Sequence, residues 1–171
     1  MLEKAKLDDL TELQTLCTEC YTQVFANHWN EGGLARYLDQ EFGTTRLASD
    51  LTDDHHDYYF IEAEENRVGF VKMNFKSSKE LSASPNCEIE KIYVLPQYSG
   101  QGLGKRAMRD VYDLAKERGK AEVFLCVLDT NLNSIAFYQK SGFSFHIRTR
   151  LECPDFKEEL RGMHRMCLTL H

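Results

Sequence analysis

Glu88-Ile89-Glu90-Lys91-Ile92-Tyr93-Val94-Leu95-Pro96 leads through Gln97-Tyr98 into Ser99-Gly100-Gln101-Gly102-Leu103-Gly104-Lys105-Arg106. The first segment alternates Ile89, Lys91 and Tyr93 with Glu88, Glu90, Ile92 and Val94, as a strand does, so one face is expected to carry carboxylates. Pro96 ends it. The glycine-rich segment opens a helix whose Leu103, Ala107, Met108, Val111, Leu114 and Ala115 form an apolar stripe, closed by Gly119. A glycine-rich turn between strand and helix exposes backbone N–H groups at the positive end of a helix dipole, a geometry that receives an anion such as phosphate.

Two common phosphate motifs do not fit. The pattern G-x-x-x-x-G-K-[ST] needs glycine where Ser99 stands and Ser or Thr where Arg106 stands. The dinucleotide pattern G-x-G-x-x-G, begun at Gly100, meets Lys105 at its last glycine, and no early βαβ unit precedes it.

Outward from this turn, the chain reads as alternating α and β segments. Leu2 to Ala5 is a short first strand, and Asp8 or Asp9 caps a helix with Leu10, Leu13, Leu16 and Cys17 at helical spacing. Further helix follows, interrupted at Gly32-Gly33. Tyr58 to Ala63 and Val68 to Phe75 read as a hairpin about Glu65-Asn66. Val123 to Leu128 is an apolar run expected of a central strand covered on both faces. A helix capped by Asn131 or Asn133 ends at Gly142, and Phe143 to Leu151 and Met163 to Leu170 are two last strands.

The 171 residues fit one domain, 1–171, with no linker or repeat. With 21 basic against 27 acidic side chains, the chain is a poor coat for nucleic-acid backbone, so no nucleic-acid partner is expected. No apolar run is long enough to cross a bilayer, and Met1 to Lys6 lacks the apolar stretch of a signal peptide, so the expected address is cytoplasmic, with no membrane partner. The six cysteines hold one C-x-x-C pair, Cys17 and Cys20, within a helical pattern and with no second pair to complete a zinc site, and the six histidines show no metal spacing; no metal is expected.

Three segments together resemble the GNAT superfamily of acyl-CoA-dependent N-acetyltransferases: Glu90 to Pro96, the turn Ser99 to Gly104 against the family pattern [RQ]-x-x-G-x-[GA], and Asn131-Leu132-Asn133-Ser134-Ile135-Ala136-Phe137-Tyr138-Gln139-Lys140-Ser141-Gly142-Phe143. Ser99 departs from the family's Arg or Gln. The wording of the second and third segments is nearest to bacterial spermidine/spermine-type acetyltransferases. The resemblance implies a mixed α/β fold with a central, mostly antiparallel sheet of six or seven strands, flanked by about four helices and splayed where cofactor enters. It implies acetyl-CoA as cosubstrate, held by the backbone of Ser99, Gly100, Gln101, Gly102, Leu103, Gly104 and Lys105, by main-chain groups of Ile92, Tyr93 and Val94 along the pantetheine arm, and by Asn131, Tyr138 and Lys140. Tyr138 would protonate the leaving thiolate. A homodimer is common in the family, and the last strand offers an edge for one.

The implied chemistry needs a base. A lysine-like amine, with pKa about 10.4, is roughly 3.4 units above neutral pH, so about 4.6 kcal/mol separates the ion from the nucleophile. By the same resemblance, Glu90 is similar in position to the carboxylate that polyamine acetyltransferases use through a water, and Glu88 is the reserve two residues earlier. Residues 31–66 carry ten acidic and two basic side chains, whereas residues 91–120 carry seven basic and three acidic. In the arrangement that the resemblance implies, the first segment helps wall the acceptor site and the second receives coenzyme A, so a cationic acceptor and an anionic cofactor would each meet complementary charge, which points to a polyamine or a lysine-like amine. Alternatives are a protein N-terminus or lysine as acceptor, or a non-catalytic acyl-CoA-binding module. Cys126 sits in an apolar run, where a thiol is normally unactivated.

Overall fold

A computed structural model describes residues 2–171. Seven strands form one sheet: β1 (Leu2–Lys4), β2 (His56–Ala63), β3 (Asn66–Asn74), β4 (Asn86–Val94), β5 (Glu122–Leu128), β6 (Ser144–Arg150) and β7 (Gly162–Thr169), in the order β1-β2-β3-β4-β5-β7-β6. Every neighbouring pair is antiparallel except β4 and β5. The helices are α1 (Leu10–Phe25), α2 (Gly33–Phe42), α3 (Thr44–Leu51), α4 (Leu103–Glu117) and α5 (Leu132–Lys140). The helical segment after Gly32 is two helices because the chain turns extended at Gly43, φ −60° and ψ 149°.

Both faces of the sheet are covered. On one, Leu13, Cys17, Phe42 and Leu47 pack against Tyr58, Phe60 and Phe70. On the other, Leu103, Ala107, Met108, Val111 and Ala115 of α4 pack against Val71, Met73, Cys87, Ile89, Val123 and Leu125. Two-sided burial explains why β2, β3 and β5 are apolar nearly throughout rather than at alternate positions. At roughly 1.5–3 kcal/mol for each large apolar side chain removed from water, the α4 stripe is enough to hold that helix, and the turn before it, on the sheet.

One interruption positions the site. The β4–β5 ladder runs only from Asn86↔Glu122 to Ile89↔Leu125. Beyond it β4 stays with β3 as far as Val94, while β5 stays with β7 as far as Leu128. The sheet therefore parts between them. The sheet edge differs from expectation: β7 lies between β5 and β6, because β6 folds back onto its outer side, and β6 is the free edge, with Phe145 53% and Ile147 45% exposed. No helix among the described residues is long and apolar enough to cross a membrane.

Candidate active site

The turn before α4 depends on glycine for its shape. Gly100 and Gly102 have φ of +80° and +75°, in the left-handed region that side chains with a Cβ rarely adopt, and Gly102 is the N-cap of α4. A Cβ at either would meet nothing within 4 Å. The space above the turn is open, and the first amides of α4, which have no carbonyl one turn earlier, border it. Gly104 serves packing instead: its Cβ would come 3.2 Å from the Phe137 ring of α5. The resulting groove, about 470 Å³, is lined by Ser99, Gly100, Gly102, Leu103, Gly104 and Lys105 from the turn, by Ile92 and Val94 from β4, and by Ser134, Phe137 and Tyr138 from α5. Such a cradle fits a diphosphate. Gln101 and Lys140 are exposed and do not line it.

The strand entering the turn differs from simple alternation. Lys72 pairs with Lys91 and Met73 with Ile89, so Glu90 is an extra residue, a β-bulge. It reverses the parity. Cys87 and Ile89 face the α4 side before the bulge, and Ile92 and Val94 face it after, while Lys91 and Tyr93 join Glu90 on the opposite side. Ile92 and Val94 thus do not share a face with the carboxylates, contrary to the alternation in the sequence. The main chain is oriented as well. Leu95 N–H donates to Val68 C=O at 2.8 Å, so by antiparallel alternation Tyr93 bonds toward β3, and Ile92 and Val94 turn their N–H and C=O groups to the edge that β5 has left. Of the three residues expected along the pantetheine arm, two offer free main-chain groups; Tyr93 instead sends its ring into a cluster with Tyr21, Phe25 and Phe70.

A second cavity, about 500 Å³, shares Ile92, Val94, Ser134 and Tyr138 with the groove, so the two meet at the parting of the sheet. Glu88, Glu90, Lys91 and Cys126 line it, and Tyr21, Phe25, Tyr37 and Phe156 form aromatic walls. The two carboxylates have opposite tendencies. Burial lifts the Glu88 carboxyl above its ordinary value, with repulsion from Glu90 adding to it. Burial acts the same way on Glu90 but is outweighed by Lys72, whose Nζ is 2.9 Å from Glu90 Oε2, and by Asn74, whose amide donates to Oε1 at 3.0 Å; this carboxyl lies below its ordinary value.

Tyr138 projects from α5 where groove and cavity meet, and burial pushes its phenol up to about 12, so it stays protonated at neutral pH. Asn131 lines the cavity but is also the α5 cap, its Oδ1 accepting from Ser134 N–H at 3.2 Å. Burial raises the Cys126 thiol, which leaves it a poor nucleophile.

Sequence reasoning missed what stands behind Glu90. Lys72, with no exposed surface, also lies 2.8 Å from Asp50, which holds Arg46 and the Tyr58 hydroxyl. A lysine inside Val68-Gly69-Phe70-Val71-Lys72-Met73, a run apolar on both faces, was the available signal, since a buried ammonium needs anionic partners. The acidic segment is also quieter than its composition implies. Glu41 pairs with Lys91, Asp50 with Arg46 and Lys72, Asp53 with His56, and Asp57 with Lys4 and Arg118.

Comparison with known proteins agrees with this fold. A spermidine N(1)-acetyltransferase from Thermoplasma acidophilum is 21% identical over 146 residues, 83% of this chain and 86% of that protein. An uncharacterised N-acetyltransferase from Lactobacillus delbrueckii subsp. lactis is 24% identical over 143 residues, 81% and 83% of the two chains. Among solved structures, the PaiA N-acetyltransferase of T. acidophilum in complex with coenzyme A superposes with a TM-score of 0.78 at 17% identity, over 99% of this chain and 98% of that one, a likeness of fold. Residues 8–143 match the Acetyltransferase (GNAT) family. With its seven-stranded sheet parted beside a glycine-rich turn, the chain belongs to the GNAT acetyltransferase family.

Proposed function

We propose that this protein transfers an acetyl group from acetyl-CoA to a primary amine by direct attack within a ternary complex. The observation that carries the reading is the meeting of the two hollows at Ile92, Val94, Ser134 and Tyr138. One hollow is built on unpaired amides and suits a diphosphate; the other holds carboxylates and suits an amine. The main-chain groups of Ile92 and Val94 would take the pantetheine arm as an added strand, and an N–H there would polarise the thioester carbonyl.

Glu90 is our candidate proton acceptor, reached through a water. Held between Lys72 and Asn74, its carboxyl lies below the ordinary value, which favours the ionised form that accepts a hydrogen bond. The raised Glu88 carboxyl, closer to the condition of an efficient base, favours Glu88 as a second reading. Tyr138, protonated and at the junction, would give its proton to the departing thiolate.

A polyamine acceptor is supported by the spermidine acetyltransferase relative and by Glu88 and Glu90 beside aromatic walls. Glu41, Asp50, Asp53 and Asp57, four of the ten carboxylates in residues 31–66, are paired within the chain, which weakens the support that the charge map lent it. For self-association, the support is the free β6 edge with its exposed Phe145 and Ile147.

The test is release of free thiol from acetyl-CoA over a panel of polyamines, monoamines, aminoglycosides, amino acids and peptides. Turnover on at least one amine is expected. Tight coenzyme A binding without turnover on any would replace this reading with that of a binding module.

A further inference from the structure

Acetylation of an ammonium releases one net proton. Attack by nitrogen forms the C–N bond and breaks the C–S bond; one nitrogen proton ends on the thiol through Tyr138, and the one removed beforehand must reach solvent. Glu90 receives that proton in the reading above, on which this inference rests, but its pairing with Lys72 makes it a poor place to keep it. The cavity mouth would be filled by thioester and acceptor in the ternary complex and would be a poor exit.

A second route is built into the fold. His56 opens β2, opposite Asn74 of β3, and its Nε2 lies 3.6 Å from Glu90 Oε1. Its Nδ1 is 2.9 Å from Asp53 Oδ2, and the other Asp53 oxygen accepts from the His55 N–H at 2.9 Å, so the carboxylate is fixed in the turn before β2. A carboxylate at Nδ1 keeps the neutral ring's hydrogen there and leaves the Nε2 lone pair toward Glu90. Asp53 is exposed and the His56 side chain 19% exposed. The charged neighbours are Asp53 and exposed His55 in the turn, Glu90 of β4 and, beyond Glu90, Lys72 of β3 and Asp50 of α3.

We infer that His56 relays the amine's proton from Glu90 to solvent, with Asp53 orienting its ring. The proton passes from Glu90 Oε1 to His56 Nε2, the 3.6 Å separation closing to a hydrogen bond once the carboxyl is protonated, and the imidazolium, its Nδ1 hydrogen kept by Asp53, then gives the Nε2 proton to water and regains its lone pair. His56 is a positioning residue that acts through Glu90 and does not touch substrate.

The experiment has two arms. In the first, NMR titration of the His56 ring in the full chain is compared with that in Glu90→Gln; the midpoint is expected to move to lower pH when the neighbouring negative charge is removed, and an unmoved midpoint overturns the relay whether or not an acceptor amine is known. In the second, His56→Gln is expected to lower kcat about 10-fold with KM for acetyl-CoA unchanged, to flatten the acidic limb of the kcat–pH profile, and to recover activity with added imidazole, to which the parent is indifferent. Unchanged kcat and pH profile in His56→Gln overturn the inference. Should that variant not fold, Asp53→Asn at the exposed turn is used instead, with a lower kcat and a flattened acidic limb expected and a parent-like profile contradicting the relay. Absence of turnover in the parent on every amine defeats the acetyltransferase reading instead, and the titration still decides whether His56 and Glu90 are coupled.

Discussion

Lys72 Nζ lies 2.9 Å from Glu90 Oε2 and 2.8 Å from Asp50 Oδ2, and the lysine side chain has no exposed surface. One ammonium thus ties a carboxylate of the candidate site to one on α3. Removing it strands two poorly exposed carboxylates, a change that costs about 3–5 kcal/mol when a buried pair loses one partner. Because Asp50 keeps Arg46 and Tyr58, and Glu90 keeps Asn74, Lys72→Met is expected at the low end of that range by urea unfolding. A loss under about 1 kcal/mol would show that the network is dispensable for stability.

Opposite shifts at the two cavity carboxylates predict opposite pH behaviour. Glu90, held low, contributes stability that is complete above the ordinary carboxylate value and is lost as pH falls through its depressed folded value. Glu88, held high, binds its proton more tightly folded than unfolded, so its contribution declines as pH rises through the window above about 4.5. Glu88→Gln is therefore expected to raise Tm near neutral pH and to leave it unchanged at about pH 3, below the ordinary glutamate value, where the carboxyl is neutral in both folded and unfolded chains. A gain at acid pH but not at neutral pH would reverse the sign of this argument.

Glu90→Gln and Glu88→Gln also separate the two candidate bases. A general base contributes about 10²–10⁴-fold, so kcat should fall by that order in Glu90→Gln and much less in Glu88→Gln. The reverse ranking would move the role to Glu88.

Tyr138→Phe keeps the ring between groove and cavity and removes the proton. Steady-state kinetics should show kcat lower by about 10²-fold with little change in cofactor affinity. Near-normal kcat would remove Tyr138 from the acid role.

The sequence displays the turn, the strand before it and α5 with its Tyr138 because local rules govern them: glycines where φ is positive, an apolar stripe at helical spacing, and an Asn cap. The strand limits of β2, β3, β5 and β7 were legible to within two residues for the same reason. What escaped depends on partners distant in the chain. The bulge at Glu90 is a register event between β3 and β4, invisible to alternation within one strand, and it moved Ile92 and Val94 off the carboxylate face. Lys72 and His56 reach Glu90, and Asp50 of α3 reaches Lys72, only after β2, β3 and β4 align and α3 packs beside them. The charge of residues 31–66 reads as one acidic stretch in sequence, whereas in space four of its ten carboxylates, Glu41, Asp50, Asp53 and Asp57, are paired with cations or His56.

Gly102→Asp would place a carboxylate in the open space above the turn, where a Cβ at residue 102 has no atom within 4 Å, and strain a backbone with φ of +75°. Calorimetric titration should find coenzyme A binding weakened at least 10-fold in folded protein, through repulsion of the diphosphate. Unaltered affinity would move the nucleotide elsewhere.

The most direct measurement is a crystal structure of the protein soaked with coenzyme A. The diphosphate should accept hydrogen bonds from the main-chain amides of residues 103–105, with the pantetheine along Ile92 and Val94 and the sulfur beside the Tyr138 hydroxyl. Density for the nucleotide away from that turn, or a sulfur remote from Tyr138, would contradict the account.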